Sequence, residues 1–291
     1  MDGFTLTDVP PLRSPIVVMA FSGWSDTGTV TTDAARQLVE AYSAEQFLTV
    51  DAQDYYVFTE TRPTVHVDAS GVRELNWPAN EGYWARVPGS AHDLLVVIGE
   101  EPSLRWRTFS DHLAEALMAQ SPFLVCTLVA RPAATPHTRP IPISGSSADP
   151  KLAAKYGLGR SMYQGPTGIL GVLHDSLRQR GADLISLAAS VPHYLNIDEN
   201  PAATMALLQA LEPVLGVSPP LGELVDEQER FVQRVEEASR GDDQIGQYVR
   251  TLEEHYGEQE ENDEGSGDAG LPSADDILRD VEDFLRWSND P

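Results

Sequence analysis

The chain has 291 residues, 41% of them hydrophobic, which is enough for one large domain or a domain with an extension. No run approaches the roughly 20 apolar residues of a membrane span. The single cysteine, Cys126 in FLVCTLVA, excludes an intrachain disulfide and a zinc site built on several cysteines. With a formal charge of −25 and only two lysines, Lys151 and Lys155, nucleic acid and anionic membrane surfaces are poor partners.

In chain order, MDGFTLTDVPPLRSP lacks a basic segment followed by an apolar one, so it does not read as a signal peptide and a cytoplasmic protein is expected. Strands are predicted at Ile16–Phe21, Phe47–Asp51, Leu94–Ile98, Phe123–Val129 and Leu184–Ala188. Most are continuous apolar runs, as in strands covered on both faces. Between and after them, helical spacing predicts helices at Val30–Ala44, Trp106–Ala119, Gly168–Arg180 and Pro201–Leu215. Alternation of this kind implies a layered α/β sheet. The segment Tyr55–Asp68 alternates like an antiparallel hairpin, which makes the expected sheet mixed.

The character changes after GVSPPLGE. Residues 221–291 carry a net charge of −16, against −9 for residues 1–220. Leu221–Arg240 and Gln244–Tyr256 each show one apolar stripe backed by acid. The expected organisation is an α/β unit over 1–220, an acidic helical extension over 221–256, a flexible acidic linker over 257–272 and an amphipathic helix over 273–291. That last helix docks either on its own domain or on a partner.

Two glycine loops invite chemistry. In GWSDTG, Gly23, Ser25, Asp26 and Gly28 sit between a strand and a helix. The loop fails the nucleophile elbow, because the second glycine comes one residue late, and it fails the P-loop, because Thr29 replaces the lysine. What remains is a helix start able to hold an anion, or a structural turn with Asp26 as a cap. QGPTG repeats the arrangement, with Gly165, Thr167 and Gly168 as candidate anion contacts and Thr167 as a possible cap. Glu101 follows the third strand, where α/β folds place ligands, and Arg105 and Arg107 lie near enough in sequence to neutralise it. PHTRP and VPHYLN add His137 and His193, readable as a metal pair, a proton shuttle or turn histidines bonded to backbone, and Arg139 as a further candidate anion contact. No close histidine pair or complete catalytic set appears, so no metal and no cofactor is expected, and the weak catalytic candidates are His137, His193 and Glu101.

Taken together and in one order, GWSDTG, GEEPSLRWRTF, PHTRPIPISG, YQGPTGILGVLHD and VPHYLNIDENPAATMALLQAL resemble the proteasome assembly chaperone 2 family, in particular its actinobacterial-type members. The resemblance covers about residues 14–217. It implies a three-layer α/β/α fold with a mixed sheet like those of nucleoside phosphorylases and hydrolases, a C-terminal helical extension and no established enzyme activity. It also implies a homo-oligomer, a trimer by first choice, and a protein partner such as a proteasome-like assembly. Chaperones and activators that dock on proteasome rings commonly end in a hydrophobic–Tyr–X tail. This sequence ends RWSNDP, so docking by that route is not expected. The rival reading is a phosphate- or nucleoside-type small-molecule binder, or an enzyme, on the same scaffold.

Overall fold

The computed structural model describes residues 3–263 apart from 69, 162, 196, 241 and 242. The helix expected over 273–291, and the linker beyond 263, lie outside the described residues. Among the described residues there are ten strands: β1 Phe4–Leu6, β2 Ile16–Ser22, β3 Glu45–Val50, β4 Thr64–Val67, β5 Arg73–Asn76, β6 Asn80–Ala85, β7 Leu94–Glu100, β8 Leu124–Ala133, β9 Ile143–Ser146 and β10 Leu184–Pro192. Eight of them form one mixed sheet in the order β1-β3-β6-β7-β2-β8-β10-β9, and β4 pairs only with β5. The four central strands are parallel, with Val18 opposite Val96 of β7 and Cys126 of β8. The outer pairs are antiparallel.

Side-chain alternation along β2 divides the core. Ile16, Val18 and Ala20 face one helical layer; Val17, Met19 and Phe21 face the other. The first layer holds α1 Val30–Ala41, α5 Pro201–Ala210 and α6 Glu212–Leu215, through Leu38, Leu207 and Val214. The second holds α2 Trp106–Met118 and α4 Ile169–Gln179, through Phe109, Leu113 and Leu173. A short α3, Pro150–Tyr156, follows β9. The architecture is thus the expected α/β/α sandwich with a mixed sheet and helices on both sides. At the amino ends of the strands, fully buried Asp93 pairs with Arg13 at 2.6 Å and with Arg86, fastening the leading segment to β7.

Several details differ from the sequence reading. The hairpin lies at 64–76, not 55–68, because Tyr55 and Tyr56 turn into the second core layer instead of alternating along a strand. The predicted helix at 201–215 is two helices, α5 and α6. Pro213 has no N–H to give the preceding turn, and the chain breaks at Leu211. The extension forms α7 Leu224–Arg240, which packs on α5, and α8 Asp243–Asp263. Helix α8 runs past Tyr256 into the stretch read as linker, where EQEE consists of good helix formers. Among the described residues, no helix is long and apolar enough to cross a membrane.

Candidate functional site

Strand β2 leads into α1 on one face, and its neighbour β7 leads into α2 on the other. Their carboxyl ends therefore flank the kind of crevice where open α/β sheets take ligands. The two strands are joined there by a hydrogen bond from Ser22 Oγ to the Glu100 carboxylate and by Glu101 N–H donating to Ser22 O at 3.0 Å.

Glu101 brings both glycine loops together. Its Oε1 accepts the Ile169 N–H at 2.6 Å, the first donor of α4. The Trp24 N–H approaches its Oε2 at 3.5 Å. Gly23 has φ +114°, and a Cβ there would stand 3.1 Å from Glu101 Cβ. A Cβ on Gly168 would stand 2.7 Å from Glu101 Oε1, with Ser25 Oγ at 3.7 Å. The carboxylate therefore occupies the helix start that an outside anion would use. It also takes the capping place expected of Thr167, which stays exposed and leaves Gly168 as the N-cap without a side-chain bond. The pairing of Glu101 with its sequence neighbour Arg105 does not occur, since that guanidinium binds Asp54 at 2.8 Å. Gly165 lies under the Tyr163 ring, whose Oη donates to Pro166 O at 2.8 Å.

Asp26 does the equivalent work at α1. One oxygen accepts from Thr31 N at 2.6 Å and Thr31 Oγ1 at 2.7 Å, and the other accepts from Thr32 Oγ1 at 2.6 Å. Ala130 N–H, from β8, donates to Ser25 O at 2.8 Å and ties this loop to the sheet. Gly28, at φ +63°, accepts from Asn200 N–H at 3.1 Å.

His137 and His193 meet elsewhere, around Tyr194. The Tyr194 hydroxyl accepts the His137 N–H at 2.7 Å and lies 2.6 Å from its Nδ1, to which it can donate. His193 Nδ1 is 3.0 Å from Ala133 O, which fixes the proton on Nδ1 and leaves Nε2 as acceptor for Tyr248 Oη at 3.2 Å. Ring centroids of Tyr194 and Tyr248 are 5.7 Å apart, so α8 closes over the pair. Burial lowers the His137 pKa, against an opposing pull from Glu236 and Glu253, and burial raises that of the Tyr194 phenol. Arg139 is exposed, its backbone N–H 3.4 Å from Pro136 O. Among the described residues, no group of three or more His, Cys, Asp or Glu is placed to hold a metal ion.

A cleft of about 360 Å³ opens beside Ser22 and Glu100 on the α1 face, walled by Trp77, Tyr83, Arg36 and Glu40. Sequence reasoning missed Trp77 and Tyr83 because their strand and hairpin lie outside the recognised motifs. The chemistry of the arrangement is that of self-contained polar groups: each candidate carboxylate and imidazole is bonded to the protein's own donors and acceptors.

Residues 20–239 match the model of the PAC2 family. The chain belongs to the PAC2 family. Among solved structures, a PAC2 family protein from Streptomyces avermitilis is 40% identical over 81% of this chain and 99% of its own, with a TM-score of 0.74. The proteasome-assembly chaperone homologue Rv2125 of Mycobacterium tuberculosis is 37% identical over 80% of this PAC2 chain and 99% of its own, with a TM-score of 0.72. PbaB of Pyrococcus furiosus, an archaeal proteasome activator, shares the fold at 18% identity and a TM-score of 0.63, over 81% of this chain and 98% of its own. No curated protein matches. The stretches that carried the sequence resemblance meet here: Glu101 comes from GEEPSLRWRTF, and the groups it joins come from GWSDTG and YQGPTGILGVLHD.

The bridging role of Glu101 is open to test. Glu101→Ala is expected to cost about 2 kcal/mol in urea unfolding, since a charge-assisted bond and a helix cap are lost together. Hydrogen exchange at the Ile169 amide should speed up in parallel. An unchanged midpoint with unchanged exchange would show that the carboxylate does not hold the loops.

Proposed function

We propose that this PAC2 protein is a non-enzymatic chaperone or adaptor that acts as a homo-oligomer and grips a protein partner with the loops at the carboxyl rim of its sheet. The observation that carries this reading is the exposure of Trp24 (67%) and Tyr163 (57%) on loops braced through Glu101. Leu104, exposed in the loop that follows β7, extends the apolar rim. Large aromatics held ready on a stiff base lose little entropy on binding, and such residues dominate protein interfaces. The proteasome-assembly chaperone homologue at 37% identity supports a partner of the proteasome type. The phosphate-binding alternative is less favoured, because Asp26 and Glu101 already use the helix-start donors it needs.

The test is binding to proteasome α-subunits, measured with the wild type and with the double variant Trp24→Ala/Tyr163→Ala. Loss of two central aromatic contacts is expected to weaken binding by at least about tenfold, while the far-ultraviolet circular dichroism of the variant stays that of the folded wild type. If the wild type binds neither these subunits nor any other protein, the chaperone reading fails. If the double variant binds as well as the wild type, the rim is not the contact surface.

A further inference from the structure

Among the arginine side chains described, Arg131 alone is not exposed. Every ion pair among the described residues is made by another arginine. The side-chain hydrogen bond that Arg131 does make is long, from Nη2 to Ser144 Oγ at 3.4 Å. Burial lowers its pKa, and no carboxylate stands near enough to oppose the shift. Taking a guanidinium half out of water without a counter-ion costs free energy. An anion from outside the chain would offset that cost.

Strand register shows what surrounds this group. Side chains alternate along β8, so Val125, Thr127, Val129 and Arg131 turn towards the layer of α2 and α4. Helix α4 covers that row at Thr127, which meets His174. Arg131 lies four residues further on, near the carboxyl end of the strand, where α/β sheets take ligands. Ser190 of β10 stands directly opposite it in the ladder. Ser144 of β9 stands opposite Ala188, two residues before Ser190. The guanidinium therefore reaches across β10 past two small side chains, Ala188 and Ser190. The two faces of β10 differ. Ile185, Leu187, Ala189 and Val191 are buried in the first core layer, whereas Ser186, Ala188 and Ser190 are only half-buried. A polar shelf thus continues the apolar face of the central strands.

We propose that this shelf binds the phosphate group of a small molecule. Arg131 offers a planar fork of donors, and the hydroxyls of Ser190 and Ser144 come from two further strands beside it. A planar carboxylate is satisfied by the fork alone, whereas a tetrahedral phosphate keeps oxygens for hydroxyls outside that plane. The source is inorganic phosphate or a phosphate monoester. A net charge of −25 repels anions from the rest of the surface, so background binding is low. The site uses neither the Trp24–Tyr163 rim nor the helix starts that Asp26 and Glu101 fill. It goes beyond the proposed function, and loss of partner binding would leave it untouched.

The experiment follows the melting temperature of the full chain in phosphate-free buffer, with sodium phosphate or glycerol 3-phosphate added in steps. Sodium chloride at equal ionic strength gives the baseline. At least one of the two anions should give a saturable rise above it. Tighter binding of the ester would assign the site to a phosphorylated small molecule; tighter binding of phosphate would assign it to the free ion. Arg131→Met should abolish the rise. Without phosphate the same variant should melt at the wild-type temperature or above, because it removes a charge that nothing neutralises. A brace of the fold would behave in the opposite way. Arg131→Lys, which keeps the charge without the fork, and Ser190→Ala should each weaken binding about tenfold. A wild type that responds to neither anion beyond chloride would overturn the proposal. So would an Arg131→Met variant that binds as the wild type does, or one that melts several degrees lower in phosphate-free buffer.

Discussion

Replacing Asp26 by alanine is expected to remove about 4 kcal/mol of stability, because a cap and two buried hydroxyl partners vanish at once. The carboxylate is only 9% exposed, and both threonines are almost completely buried. A cap alone contributes about 1 kcal/mol. Here Thr31 Oγ1 loses its acceptor, while Thr32 Oγ1 keeps Thr29 O at 3.2 Å as a second partner. A buried polar group left without a partner costs about 1–3 kcal/mol. Water cannot readily replace the carboxylate where the loop is joined to β8. Asp26→Asn keeps the shape and one acceptor oxygen, and should lose about half as much. Urea unfolding at neutral pH measures both. A loss below about 1 kcal/mol for the alanine variant would mean that the α1 start is held by the Gly28–Asn200 contact instead.

The central strands were legible in the sequence for a physical reason. Ile16–Ser22, Leu94–Glu100 and Leu124–Ala133 are covered on both faces, so their apolar runs are nearly unbroken. Among the outer strands β3 was still legible through Phe47–Val50, but β9 and β6 give no such signal. Strand β9 is ISGS, half-buried at a sheet edge, and at Gly145 the Leu158 side chain takes the space a Cβ would fill. Strand β6, NEGYWA, is interrupted by Gly82, where a Cβ would come within 2.9 Å of Leu48 and Phe47. Both glycines serve contacts with distant residues, which one sequence does not display.

The site was half legible. The glycine loops announced themselves as helix starts, and Asp26 was read as a cap because its partners are five and six residues away. The destination of Glu101 was hidden because its partner Ile169 is 68 residues away and comes from the opposite helical layer to α1. Sequence proximity pointed instead to Arg105. That residue has φ +55° at the start of α2 and carries its guanidinium to Asp54. The His137–Tyr194–His193 group was visible as two histidine turns. The tyrosine that unites them and the α8 tyrosine that covers them required the fold. What looked like two anion sites and a histidine pair therefore became two internal carboxylate braces and a packed ring cluster. The side chains those braces leave outside, Trp24 and Tyr163, are the ones the proposed function uses.

The second large effect is expected on acidification, through His174. This α4 imidazole places Nε2 2.8 Å from Thr127 Oγ1, a hydroxyl 1% exposed on β8. Burial pushes its pKa down to about 4. In the unfolded chain a histidine titrates near 6.5. Below that pH the unfolded chain gains a proton that the folded chain refuses until about pH 4. The stabilisation is complete above pH ~6.5 and is lost as pH falls through this window, by about 3 kcal/mol in all. His137, also lowered by burial, adds loss in the same direction, so the wild-type profile alone does not isolate His174. The variant His174→Gln does, because glutamine stays neutral and can still bond Thr127. It is expected to start less stable at neutral pH and to lose less on acidification, so the two curves of unfolding free energy converge towards pH ~4.5. Parallel curves would show that the imidazole takes up its proton in the folded chain as readily as in the unfolded one. The contact between α4 and β8 would then be wet, and the layer that carries the Glu101 brace less tightly closed than the geometry indicates.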